Sequence, residues 1–233
     1  MNIFVRWTII LLVVASIILL VFPVSWFPSF YDVRYMGWIG LGGAALIIIL
    51  PWLARVKETA PDAGRKNKAA DLMQMFLALM VASNALGDLG LYKLYLYGFE
   101  YDKVLHFFTP FLGALLIPFI LNLRWGIRKS YAVLATFVIV VVCGAGWEVF
   151  EVAVDFVLKT HISGVYGLNV SRDTAFDFMF DVLGVALGLF GSFFLRGYFI
   201  GEKKIEKANF LTATAAASVF LVAVGFFASY AKM

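Results

Sequence analysis

Cysteine, histidine and charge are all scarce in this chain. It has one Cys and two His among 233 residues, and 15% of its residues are charged. Soluble domains of this size carry about 25% charged and about 45–50% apolar residues. Here 63% are hydrophobic, and the mean hydropathy is +0.91. A water-soluble globule, a disordered chain and a nucleic-acid-binding domain are excluded on that ground. Cys143 stands alone inside an apolar run, which excludes a disulfide framework and a thiolate metal site. Gly/Ser linkers, low-complexity tracts, blocks of like charge and convincing internal repeats are missing as well. What is present in quantity is long apolar sequence, so the expected fold class is all-α: a polytopic membrane helical bundle with about seven transmembrane helices. Residues 1–233 read as a single transmembrane helical domain, with a motif-bearing core at about residues 84–191.

About 20 helical residues cross about 30 Å of hydrocarbon. On that measure the spans run from about Val5 to Phe22, Tyr35 to Ala54, Asp71 to Tyr97, Val104 to Leu123, Tyr131 to Leu158, Thr174 to Arg196 and Phe210 to Tyr230. The first has Arg6 before an apolar core but no Ala-x-Ala cleavage pattern after it, so it reads as a retained anchor. Lys and Arg gather in alternate connections. Thirteen of the nineteen lie before span one and after spans two, four and six, among them Arg6, Arg55, Arg65, Lys68, Arg124 and Lys203. The positive-inside rule then puts the N-terminus in the cytoplasm and the C-terminus outside, in a plasma (inner) membrane. The net charge of +4 is a consequence of this topology, not a nucleic-acid surface.

The acids are distributed differently. Asp88, Glu100, Asp102, Glu148, Glu151, Asp155, Asp173, Asp177 and Asp181 are nine of the fifteen, and all fall on the outer half of this topology. An ionisable residue inside a span costs a few kcal/mol or more, so it faces protein or water and is a functional hypothesis by default. Their spacing follows the helix. Gly144, Glu148, Glu151 and Asp155 advance by steps of four, three and four along one face of span five. Asp173, Asp177 and Asp181 do the same on span six, and their stripe continues through Gly184, Gly188 and Gly191. Carboxylates above and glycines below predict close helix packing of the small-xxx-small kind. Span four opens with Asp102 and His106 one turn apart, and span three offers Asn84 and Asp88. Four polar stripes at one end of the bundle are expected to line one outward-open cavity. A single intramembrane acid, by contrast, often does no more than pair with a Lys or a backbone group.

Nine acids cannot all stay ionised in a small cavity of low dielectric constant. Lys103, Lys159, Arg172 and His106 compensate only part of them, so bound protons, a divalent cation or a cationic substrate must supply the rest. Carboxylates with one imidazole suit Mg, Ca, Mn or Zn. The expected metal ligands are Glu148, Glu151, Asp155, Asp173, Asp177 and Asp181. His106, Glu148 and Asp177 are the candidate catalytic groups, and Lys103, Arg172, Asp88 and Asp102 are the candidate headgroup contacts.

Established catalytic patterns do not match. Ser171-Arg172 with Asp177 and Asp181 approaches a lipid-phosphatase signature, but Phe178 stands where its histidine belongs. The CDP-alcohol transferase signature, the P-loop, His-Glu-x-x-His and the nucleophile elbow are absent from the sequence.

Three separated blocks carry a resemblance: Tyr101-Asp102-Lys103-x-x-His106-Phe107, Trp147-Glu148-x-x-Glu151, and Asp173-Thr174-x-x-Asp177-x-x-x-Asp181 with Gly184. Through them the chain resembles the YjdF-like bacterial membrane proteins and, more distantly, the VanZ-like proteins linked to glycopeptide-antibiotic resistance. The likeness covers roughly Asn84 to Gly191. It departs in the outer loop, where a Gly-rich stretch of those proteins is replaced by Val165 to Arg172. The VanZ-like resemblance implies an envelope role, with membrane lipids or a lipid-linked envelope precursor as partner. The expectation is a cation and a lipid or envelope-precursor headgroup bound together, as in a metal-dependent lipid-phosphate enzyme. The alternative is a proton- or cation-coupled transporter, and a third reading is an accessory protein whose polar network only fixes helix packing.

Overall fold

A computed structural model describes residues 2–27, 33–158, 170–199 and 220–227, with side chains omitted at 158, 170–172 and 195–199. All regular structure among the described residues is helical. It comprises α1 (Ile3–Val21), α2 (Val33–Ala54), α3 (Ala63–Asp88), α4 (Tyr101–Trp125), α5 (Lys129–Leu158) and α6 (Val170–Phe199). Short 3₁₀ turns lie at Val24–Trp26 and Leu91–Tyr97. All six α-helices are long and apolar enough to cross a membrane. Of the expected seventh span only residues 220–227 are described, and they are helical. The outer connection at 159–169 lies outside the described residues.

Span three differs from its sequence reading. The helix begins at Ala63 and ends at Asp88, and the aromatic-rich residues Leu91–Tyr97 wind separately as 3₁₀. The break falls at Gly90, whose φ of +136° is a backbone state that residues with a Cβ avoid. The C-terminus of α4 is marked the same way: Gly126 has φ +68°, and its N–H donates to the carbonyl of Asn122 at 2.9 Å.

The chain gathers into two compact units. One comprises Met1–Lys93 with Phe119–Arg128, and the other Leu94–Pro118 with Lys129–Met233.

In the first unit, Val5 and Leu12 of α1, Ala44 and Ile47 of α2, and Leu77 and Ala78 of α3 form a buried apolar cluster. Its polar groups repair backbone deficits. Pro51 sits inside α2 without an N–H, so the Ile47 carbonyl has no helical donor. The buried Gln74 of α3 supplies one, with Nε2 at 3.2 Å from that oxygen. Arg34 donates to the carbonyls of Leu19 and Leu20, which end α1 and have no helical partners. Asn67 holds both the N–H and the carbonyl of Val56, at 3.0 and 3.3 Å.

In the second unit the glycine stripe of α6 lies directly on α4. A Cβ at Gly184 would meet the Phe107 carbonyl oxygen, and one at Gly188 would meet the Phe111 carbonyl oxygen and Ala114 Cβ. Val104, Phe107, Phe180 and Val224 close around this contact, as do Ala114, Val140 and Val185. The small-xxx-small packing expected of this stripe is therefore what the structure contains. With the two backbones so close, the carboxylates one and two turns above Gly184 are delivered to the start of α4.

Candidate functional site

Three helices of the second unit supply the site. Asp102, Lys103 and His106 come from the first two turns of α4. Glu148 comes from α5, where Gly144 lies one turn earlier, and Asp173, Asp177 and Asp181 come from α6. Lys103 is fully buried, and His106, Asp177 and Asp181 are all more than nine-tenths buried. Asp102 is the accessible member, its side chain 37% exposed.

The cluster has two centres. At the first, the Lys103 ammonium lies 2.9 Å from Asp102 Oδ2 and 2.9 Å from Asp173 Oδ1, and it is also hydrogen-bonded to Asp177 Oδ1. Burying an ammonium is tolerable only with such compensation. Here three carboxylates provide it for one cation.

The second centre is the His106 imidazole. Its Nδ1 is 3.2 Å from Asp181 Oδ1. Its Nε2 faces three more carboxylate oxygens: Asp177 Oδ1 at 3.6 Å, Glu148 Oε1 at 3.7 Å and Asp102 Oδ1 at 3.8 Å. These separations exceed hydrogen-bond length. Asp102, His106 and Asp177 each offer one ligand atom, and the three atoms lie within 4.8 Å of one another, close enough to hold a metal ion. Among the described residues, the buried oxygens Glu148 Oε1 and Asp181 Oδ2 have no hydrogen-bond donor. The second fits where Gly144 has no side chain, since a Cβ there would lie 2.5 Å from it.

Counting charges shows what is missing. Asp102, Glu148, Asp173, Asp177 and Asp181 bring five potential negative charges, and Lys103 brings one positive charge. Protonation of His106, or a bound cation at its Nε2, would offset part of the remaining four. Water cannot do so as cheaply, because the groups are buried.

The sequence-derived candidates therefore separate. Lys103, Asp102, His106, Glu148, Asp173, Asp177 and Asp181 are brought together. Glu151 accepts a hydrogen bond from the Trp147 indole at 2.6 Å, one turn away on its own helix. Asp155 lies a further turn along α5 and is partly buried. Asp88 ends α3 in the other unit, where neighbouring Asn84 accepts a hydrogen bond from Tyr92 at 2.6 Å. The side chain of Arg172 lies outside the described residues. Thr174 is an addition to the set, since it lies beside the Glu148 carboxylate. The signal for it was available: Thr174, Asp177 and Asp181 stand at i, i+3 and i+7, one face of a helix.

The family model described as "Predicted membrane protein (DUF2238)" matches residues 7–198, which include every helix that builds this cluster. No curated protein matches the chain. No solved structure does so either.

Proposed function

The chain belongs to this family of membrane proteins, and from that premise we propose that it holds a cation beside His106 and uses it to engage an anionic headgroup. The headgroup is that of a lipid or a lipid-linked envelope precursor, met on the extracytoplasmic side of the plasma membrane. The YjdF-like and VanZ-like resemblances fit this role, as does the excess of basic residues in the alternate, cytoplasmic connections.

One observation carries the reading. His106 is buried, and among the described residues its Nε2 meets no hydrogen-bond partner but only oxygens of Asp102, Glu148 and Asp177 at 3.6–3.8 Å. Such a place repels anions and stabilises a cation. A phosphate-bearing headgroup would then reach the cation from the side of the exposed Asp102, with Glu148 and His106 as the nearest proton-handling groups. Lys103 acts as an internal counter-ion in this account, because it is fully buried among three aspartates.

Proton- or cation-coupled transport is the competing reading. It needs a polar route past Asp181 toward the inner half of α6. That route is occupied by Gly184 and Gly188 in backbone contact with α4, which favours a one-sided site.

The test is elemental analysis of the detergent-purified protein, with melting curves taken with and without chelator. A near-stoichiometric divalent ion and a chelator-sensitive melt are expected, both lost in Asp177→Asn. At free metal about 100-fold above Kd, the ion adds about 2.7 kcal/mol of stability. No metal and no chelator effect after divalent ions are added back would sink the reading and leave proton-coupled transport. A metal-bearing protein is then assayed for turnover of lipid phosphates and envelope precursors.

A further inference from the structure

We infer that the centre is a four-coordinate site for a transition ion of the zinc class, with Asp102, His106 and Asp177 as ligands, one position open, and Asp181 as the residue that orients the imidazole. This rests on the cation reading above and names the ion class and the role of each residue. Of the ligands expected from the sequence it keeps Asp177, adds Asp102 and His106, and leaves Glu148, Glu151, Asp155, Asp173 and Asp181 outside the coordinating set.

The spacing is the first argument. Ligand atoms held tetrahedrally at about 2.0–2.2 Å from an ion stand about 3.3–3.6 Å apart. His106 Nε2 is 3.6 Å from Asp177 Oδ1 and 3.8 Å from Asp102 Oδ1, so these two edges are within a few tenths of an ångström of that spacing, and all three ligand atoms lie within 4.8 Å of one another. Calcium takes six to eight oxygens at 2.3–2.6 Å, and magnesium prefers an octahedron of oxygens and water. An imidazole in a compact set of three selects a borderline ion over either.

The imidazole is the second argument, and it is independent of the number of acids. Asp181 Oδ1 lies 3.2 Å from Nδ1, where the carboxylate accepts a proton carried by that nitrogen, and in the neutral ring this leaves Nε2 bare. The lone pair of Nε2 is then directed into a buried space bounded by three carboxylate oxygens, an acceptor facing acceptors. A cation seated there satisfies all four at once, where a proton on Nε2 would meet the oxygens only at 3.6–3.8 Å, beyond hydrogen-bond length. A carboxylate behind a histidine whose other nitrogen meets a metal is the arrangement that sets tautomer and ring orientation in metal sites.

The surroundings divide the labour consistently. Lys103 engages Asp102 through Oδ2 and leaves Oδ1 toward His106, whereas Asp177 Oδ1 is shared between the Lys103 ammonium and the centre. Gly144 leaves room for the second oxygen of Asp181, so the orienting carboxylate depends on the absence of a side chain on α5. Glu148 Oε1 is buried without a donor among the described residues, 3.7 Å from Nε2, where it can accept a proton from water in the open position.

The experiment titrates the full-length, detergent-purified protein with Co²⁺ and follows its visible absorption. One equivalent should bind with the intense d–d bands of four-coordinate cobalt, displaced by Zn²⁺ and not by excess Mg²⁺ or Ca²⁺. Asp177→Asn should abolish binding. If that variant does not fold, the half-exposed Asp102→Asn carries the same expectation. Asp181→Asn and Gly144→Ala should keep the spectrum and weaken binding about 10–100-fold. Weak six-coordinate bands, or ready displacement by Mg²⁺ or Ca²⁺, would overturn the ion class while the cation centre stood. Unchanged affinity in Asp181→Asn would overturn the orienting role. No divalent binding by the wild type would overturn both this inference and the reading beneath it.

Discussion

The two units use polar side chains in opposite ways. In the first, Gln74, Arg34 and Asn67 each answer a backbone deficit. Gln74 supplies the donor that Pro51 removes from α2, and Arg34 meets the last carbonyls of α1. Asn67 closes both groups of Val56. In the second, three helices place five carboxylates around one ammonium and one imidazole, and two buried oxygens remain without donors among the described residues. A buried polar group that completes a helix stabilises the fold it sits in. A surplus of one sign does not, unless something from outside completes it. That contrast is why the functional reading rests on the second unit alone.

The comparison can be broken at several points. The largest effect is expected for Lys103→Met, which strands Asp102, Asp173 and Asp177 without their cation. A loss of about 3–5 kcal/mol is expected, read as a steep fall in melting temperature in detergent. Adding Asp177→Asn should recover part of it, and no recovery would show that Lys103 matters for packing and not for charge. Next comes Gly184→Val, which touches no ligand but drives a side chain into the Phe107 carbonyl. It should cost about 1–3 kcal/mol and reduce cobalt uptake as well, because it pries the carboxylates of α6 from α4. Retained uptake at wild-type affinity would refute that link.

The first unit supplies the sharpening controls. Gln74→Leu leaves the Ile47 carbonyl unanswered and should cost about 1–3 kcal/mol. Metal uptake per folded molecule should stay unchanged, and a drop would mean that the two units are not separable in this respect. Smallest is Arg34→Gln, which removes a cationic cap from the end of α1. Its expected cost is about 0.3–1 kcal/mol, measured by the same melting curve, with no change at the metal.

Much of this was legible before any coordinates. The apolar runs located all six described membrane-length helices, with the limits of the third shifted. The i, i+4 stripes gathered Asp177, Asp181, Glu148 and His106 correctly, because helical periodicity converts spacing into a shared face. The glycines below Asp181 forecast the close approach of α6. Other features were not legible. The hydrogen bond that Glu151 accepts from the Trp147 indole was one, because a stripe of acids does not say which neighbour on the helix each will meet. The part played by Arg34 depends on where α1 ends. The break at Gly90 depends on one backbone torsion, and an isolated glycine does not announce its φ.

Composition and period, taken alone, determined that this chain is a bundle of membrane helices and that the acids of its fifth and sixth spans each share one helical face. Both are one-dimensional properties: hydrophobic length measures a span, and a repeat of three or four residues measures a face. The tertiary structure decided which charges meet. Lys103 and His106 stand one turn apart on α4, and nothing in their spacing says which aspartate faces which. That choice is made by the azimuth and height at which α6 packs on α4, set by contact of Gly184 and Gly188 with the Phe107 and Phe111 carbonyls. A shift of one turn would exchange Asp177 for Asp173 or Asp181 at the same cation. Distances between helices are what turn a row of carboxylates into a centre with a ligand side and a supporting side.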